Sequence, residues 1–483
     1  MIYLGRFVVI SVLLFSSGTF AFSQFQLSEA PGKNTEKSPI IKEETIQTFR
    51  IRKIYIHGNR KTKEAFIARE IPFKSGEEYP LPVLVKKFED AHRQLMNTTL
   101  FLEVSVVIKS IEEYNLDILV ELKERWYLFP IPFFKFVDRN FNQWLIEQNA
   151  KLDRVNYGLK VLYNNTSGNN DKLNVWIMNG YTKQISVSYD RLYFDRKMKW
   201  GLNTAFVLGK NREINYNTLY NKQQFYKDTN NYVRSFFRAN AELTYRRAIR
   251  TRHRFGIAYT SDNVTDTIIS LNPSYFENGR HKIVFPELYY TMNYADVDYI
   301  PFPLKGYMAE ISLSKKGFNS AMDIWQLHLK SFASWRIANK TFFGLKASGI
   351  VKLPFKQPYY NQRLLGYNDF FMQGYEYFVV DGVAGGYLKS SITREVLNFN
   401  IHAKRKNKED LFRIPFRVYA KVYGNAGYMY HPSPGANSLN NKMLYSGGLG
   451  IDIITHYDFT LKLEWSFNQL GQNDIYLHKK TYF

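Results

Sequence analysis

Beyond Trp126 the chain switches polarity from one residue to the next. Leu461, Leu463, Trp465 and Phe467 share one parity; Lys462, Glu464, Ser466 and Asn468 share the other. Phe416, Val418, Ala420 and Val422 alternate in the same way with Arg417, Tyr419, Lys421 and Tyr423, and Leu449, Ile451 and Ile453 with Gly448, Gly450 and Asp452. A two-residue period sends successive side chains to opposite faces of a strand. Two folds accept such strands. In a soluble sandwich the apolar face turns inward, whereas in a membrane barrel it turns outward to lipid and the closed sheet leaves no open edge. With 36 Tyr and 38 Phe, 17% of the chain is aromatic, which suits the interfacial girdles of a lipid-facing barrel. Strands of about 9–11 residues leave room for about fourteen, sixteen or eighteen of them.

The N-terminus favours the barrel. Arg6 precedes an apolar run from Phe7 to Phe15, and small residues end in Ala21-Phe22-Ser23 before Gln24. Residues 1–23 therefore read as a signal peptide; the run is short for the ~20 residues of a spanning helix. Residues 24–48 are polar, with Pro31, Gly32 and Pro39, and read as a flexible lead-in. The chain has no cysteine, so disulfides, thiolate metal sites and an N-terminal lipoprotein anchor are excluded. Most of the formal charge of +22 lies after Trp126. It suits anionic outer-membrane lipid and lipopolysaccharide or simply solvated loops and lumen; export and the lack of any nucleic-acid motif argue against nucleic acid.

Residues 49–126 follow a different rhythm. Arg50 to Ile56 is a short alternating strand stopped by His57-Gly58-Asn59. Thr62 is positioned to cap a helix through Arg69. After Pro72 and Gly76, Leu84, Phe88, Ala91 and Leu95 lie on one face of a second helix. Strands over Leu100–Lys109 and Asn115–Leu122 form a hairpin about Glu112 to Asn115. The order is β-α-α-β-β.

Late in the barrel region an aromatic- and Gly-rich connection runs from about Pro354 to Gly386 and carries Gln373-Gly374-Tyr375-Glu376. Other polar connections, expected as outer loops, are Asn211 to Tyr232, Thr260 to Arg280, Lys404 to Glu409 and His431 to Asn441.

The chain resembles the BamA/TamA superfamily of outer-membrane protein assembly factors, as a surface-antigen-type barrel with a single POTRA domain, of the type common in Bacteroidota. The residues that carry the resemblance are the Gly58-Asn59 turn, Arg69-Glu70, Leu100-Phe101 with Val104, and Glu124-Arg125-Trp126-Tyr127 leading to Phe129-Pro130-Ile131-Pro132. Asp138 to Phe141, Asn156-Tyr157-Gly158-Leu159, Leu364-Leu365-Gly366-Tyr367, Lys389 to Glu395, and Gly448 to Asp452 with Tyr457-Asp458 continue it. The resemblance implies a transmembrane antiparallel β-barrel of about 16 strands over residues 127–483, with a plug loop at about 354–386, behind a POTRA domain at 49–126. It also implies that Gln373, Gly374, Tyr375 and Glu376 form the tip of the plug. In the family an Arg stands where this chain has Gln373 and reaches carboxylates on the inner wall; Glu395, Asp452 and Glu464 are the candidates here, with Arg363 or Arg394 as substitute cations. Tyr482 and Phe483 resemble the C-terminal strand signal.

No Gly-x-Ser-x-Gly elbow, His-Glu-x-x-His helix or phosphate-cradling Gly loop occurs, and Asp296, Asp298 and Glu287 read as a strand end and its turn. The expectation is a non-enzymatic protein without cofactor or metal. By resemblance, it is an outer-membrane assembly factor with its POTRA domain in the periplasm. It would receive unfolded outer-membrane or secreted client proteins, and periplasmic or lipoprotein accessory subunits are possible partners. The alternative is a passive pore or specialised exporter gated by the internal loop.

Overall fold

We analysed a computed structural model of the chain, which describes residues 47–136, 155–367, 369–404 and 411–478. The signal peptide, nearly all of the lead-in, Asp138 to Phe141, and Tyr482 with Phe483 lie outside the described residues.

The N-terminal module consists of β1 (Thr48–His57), α1 (Glu64–Glu70), β2 (Glu78–Pro80), α2 (Leu81–Asn97), β3 (Phe101–Glu112) and β4 (Asn115–Glu124). Its sheet has the order β2-β1-β4-β3; β1 runs parallel to β4 and the other pairs are antiparallel. The helical spacing of Leu84, Ala91 and Leu95 buries one face of α2 against Ile51, Phe101, Leu116 and Ile118. Two details differ from the sequence reading. The three-residue β2 was not foreseen, and Lys63, not Thr62, precedes α1. The Thr62 hydroxyl accepts from Asn165 Nδ2 at 2.9 Å and lies 3.2 Å from Tyr127 Oη, so it is engaged by the barrel instead of the helix.

After the module, sixteen strands form one sheet from Leu128–Phe136 to Asn473–His478, each paired antiparallel with its neighbour. A separate small hairpin, Glu213–Leu219 with Lys222–Lys227, sits in one connection. The burial pattern is that of a soluble strand turned inside out. On Thr460–Asn468, Leu463, Trp465 and Phe467 are 47%, 48% and 48% exposed, while Glu464 and Ser466 are 1% exposed. Tyr419, Lys421 and Tyr423 are likewise buried between exposed outer neighbours such as Val422. Apolar outside and polar inside is stable only where the outer surface meets lipid. The sheet curls back on itself: the Phe129 ring lies 5.5 Å from that of Tyr457, in the turn before Thr460–Asn468, and Trp126 N donates to Tyr457 Oη at 3.0 Å. No ladder joins the described residues of the first and last strands.

The connections alternate between the module side and the far side. The hairpin at 213–227 and the connections at 265–281, 354–383 and 431–442 lie on the far side. The connection from Lys404 to Glu409, also expected as an outer loop, lies beyond Lys404 outside the described residues.

Candidate functional site: the plug loop and its wall

The connection 354–383 enters from the far side and folds into the lumen. Lys352 Nζ donates to the carbonyls of Asn361 and Arg363, both at 2.7 Å, and Leu365 pairs with Val380. Inside, Leu364, Leu365, Phe370, Met372, Tyr375 and Val380 pack against Tyr387, Met429 and Leu444 of the wall. The loop therefore carries its own apolar core in an otherwise polar interior. Far-side segments cover its root. Tyr275 and Phe276, fully buried, pack on Tyr359 and Tyr360; Asn221 Nδ2 donates to Val379 O, and Asn440 Nδ2 to Asp381 O.

The tip is held by few, specific contacts. Gly374 has φ +86°, and a Cβ there would stand 2.9 Å from Ser446 Cβ; only glycine combines that conformation with that approach. Its carbonyl accepts from Asn468 Nδ2 at 2.6 Å. Tyr375, 2% exposed, donates through Oη to Tyr445 O at 3.1 Å. Gln373 Nε2 donates to Glu464 Oε1 at 3.4 Å. Around Glu464 the cation comes from the wall itself: Lys421 Nζ lies 2.7 Å from Glu464 and 2.6 Å from Asp452. His478, on the last strand, approaches Glu464 through Nδ1 at 2.5 Å and Glu376 through Nε2 at 3.6 Å.

The remaining sequence candidates separate. Glu395 lies in the middle of its strand, 3.4 Å from Lys340 and 3.3 Å from Tyr419 Oη, away from the tip. Arg363 stays at the root, over the Tyr367 ring and 3.4 Å from Asn215 O; Arg394 points outward. Neither arginine serves as the substitute cation. Lys421, His478 and Asn468 were missed as site residues, although the inward parity of Lys421 with Tyr419 and Tyr423 was visible in the sequence. Asp296, Asp298 and Glu287 do not converge: Asp298 accepts turn amides and Glu287 pairs with Arg238. Among the described residues no group of three or more His, Asp or Glu could hold a metal.

Beyond Glu376 the tip reaches the last strand. Tyr377 Oη donates to Asp474 at 2.6 Å, the Tyr377 and Tyr476 rings are 5.5 Å apart, and Phe371 lies 5.5 Å from the His478 ring. The loop thus grips the strand whose outer edge carries no ladder to the first strand among the described residues.

On the module side the junction is dense. Arg246 of the wall donates to both Glu70 oxygens, at 2.5 and 2.8 Å, and Arg69 adds two more bonds, at 2.7 and 3.1 Å. Burial alone would raise the Glu70 carboxyl; the Arg246 guanidinium, seconded by Arg69, overrides it and holds the group at about 2. Arg125 reaches Asp458 at 2.6 Å and Tyr299 Oη at 3.0 Å; Asn97 exchanges hydrogen bonds with Val297 O and Ile300 N.

The free edge of the module sheet is β3, where Val107 and Ile111 are exposed; Leu81, Val83 and Val85 are exposed on neighbouring α2. Of the β3 carbonyls, that of Val104 is taken by His92 Nδ1 at 2.9 Å.

No protein-family model and no curated protein matches the sequence. Among solved structures, BamA from Haemophilus ducreyi lacking POTRA domains 1–3 aligns at 13% identity over 89% of this chain and 83% of that one, with a TM-score of 0.49. CdiB from Acinetobacter baumannii aligns at 12% identity over 89% and 73%, with a TM-score of 0.47. CdiB from Escherichia coli aligns at 8% identity over 89% and 75%, with a TM-score of 0.51. At such identities the likeness concerns fold, and it rests on the last of the three. The chain is therefore a 16-stranded transmembrane β-barrel behind a small α+β module, with the fold of the CdiB barrel and the architecture that the resemblance to the BamA/TamA superfamily implied.

Proposed function

We propose that this protein is an outer-membrane assembly factor, its α+β module acting as a single periplasmic POTRA domain and its barrel assisting client proteins into or across the outer membrane. The observation that supports this reading most is the seam. The described residues of the first and last strands share no ladder, and the plug tip is fastened to the last strand. Unpaired backbone groups at a strand edge template an incoming strand by main-chain hydrogen bonds, without demands on its sequence. The β3 edge, with exposed apolar side chains beside it, offers the same chemistry to an unfolded client in the periplasm. The step requires no covalent catalysis: the barrel contributes low cohesion and a template, and the client gains paired backbone.

Depletion tests the reading directly. Loss of this protein is expected to leave other outer-membrane or secreted proteins unassembled, and a cysteine pair at Tyr377 and Asp474, the chain's only cysteines, should block assembly until reduced. Unchanged client levels on depletion, together with ion conductance that rises when the 369–378 tip is deleted, would instead favour the pore or exporter gated by the loop.

A further inference from the structure

Between the module and the wall lies a cavity of about 640 Å³ whose cations are not balanced. Four guanidiniums at its border already have partners: Arg93 pairs with Asp90, Arg246 with Glu70, Arg250 with Asp296 and Arg254 with Glu310. Three further cations line the same space, Arg191, Arg252 and Lys172, and none makes an ion pair among the described residues. Of the carboxylates that share their surroundings, Glu70 is taken by Arg246 and Arg69, and Asp171 by the Ser167 amide and the Tyr189 hydroxyl, which leaves Asp190 for the three cations. Clustered like charges in a partly desolvated space repel, and a bound anion relieves the repulsion.

The backbone aims one of these cations deliberately. The strand Thr182–Tyr193 breaks register between Tyr189 and Leu192, and Arg191 adopts φ +62°, a left-handed conformation that arginine rarely takes. Bulges of this kind re-aim a side chain next to functional sites. Asn203 Oδ1 accepts from the Arg191 amide at 2.7 Å and holds the kink. Neutral groups complete the lining. Gln94, Asn97 and Asn170 contribute them. An oxyanion presents several acceptor oxygens to the three cations at once, a geometry that suits guanidiniums better than a halide does.

We propose that this cavity binds the phosphate group of an organic phosphate, with Arg191, Arg252 and Lys172 on its oxygens. The group is carried either by a free solute or by the headgroup of a phosphorylated glycolipid. The site is independent of the plug and of the assembly reading.

The test uses the full chain in detergent, titrated with glucose 6-phosphate, with glucose at matched ionic strength, and with lipid A in mixed micelles. Saturable binding of glucose 6-phosphate, none of glucose, and affinity about tenfold or more weaker in Arg252→Gln and Arg191→Gln is the expected result. Binding of lipid A alone, with the same loss in the variants, assigns the lipid-borne source. Folding of each variant is checked by heat-modifiable gel migration, with Lys172→Gln as a third variant should one arginine variant fail. In the absence of ligand Arg252→Gln is expected to raise the Tm, because it removes repulsion; a merely structural arginine would lower it. No saturable binding of either phosphorylated probe, or binding equal in all variants, overturns the proposal.

Discussion

The module junction and the barrel seam solve opposite problems with the same kinds of residue. At the junction, Glu70 is buried between two guanidiniums, and Arg125 and Asn97 add bonds to two separate wall segments, around Val297–Ile300 and at Asp458. At the seam, the last strand is held by its inner neighbour and by the plug tip, and its outer edge shows no ladder among the described residues. A buried charge with its partner removed is costly, whereas a missing ladder simply leaves backbone groups to be satisfied elsewhere. The molecule is stiff where the module must be placed and weakly bonded where strands would have to part.

The sharpest way to break this contrast is Glu70→Ala. It strands Arg246 without its carboxylate, and a loss of about 3–5 kcal/mol is expected, read as a lower Tm and new protease cleavage between module and barrel. Acid should reach the same contact more gently. The folded Glu70 carboxyl lies below its unfolded value, so its contribution is complete above pH 4.5 and is lost as the pH falls towards about 2. Some 3 kcal/mol, to order of magnitude, is at stake, and unfolding midpoints between pH 6 and 2 should follow that window in the wild type and not in Glu70→Gln.

At the plug tip the effects are smaller and should appear as conductance rather than unfolding. Gly374→Ala meets both the positive φ and the contact with Ser446; a cost of about 1–2 kcal/mol should raise the open probability in planar bilayers. Gln373→Arg alone should change little, because Lys421 and His478 already serve Glu464. In a Lys421→Met background the same arginine should restore a closed plug. Failure of that rescue would mean that Glu464 does not hold the tip.

These contrasts differ in how legible they were in the sequence. The inverted burial of Leu463, Glu464, Trp465 and Ser466 follows from parity alone, since a strand's two faces are fixed by its local backbone. The helical face of Leu84, Ala91 and Leu95 was readable for the same reason. Thr62 misled because a cap signal is a local preference, and Asn165, more than a hundred residues later, competes for the hydroxyl.

The amino-acid order by itself determined that alternating strands would face lipid and water by turns, and that an α+β module would precede them. The tertiary structure alone decided that Lys421, rather than a loop arginine, neutralises Glu464, that the plug grips the last strand, and that Arg191, Arg252 and Lys172 meet in one cavity. Parity is a property of neighbours in the chain. The choice of ion partner is a property of register, summed over strands that close into a ring, and no single segment carries that sum.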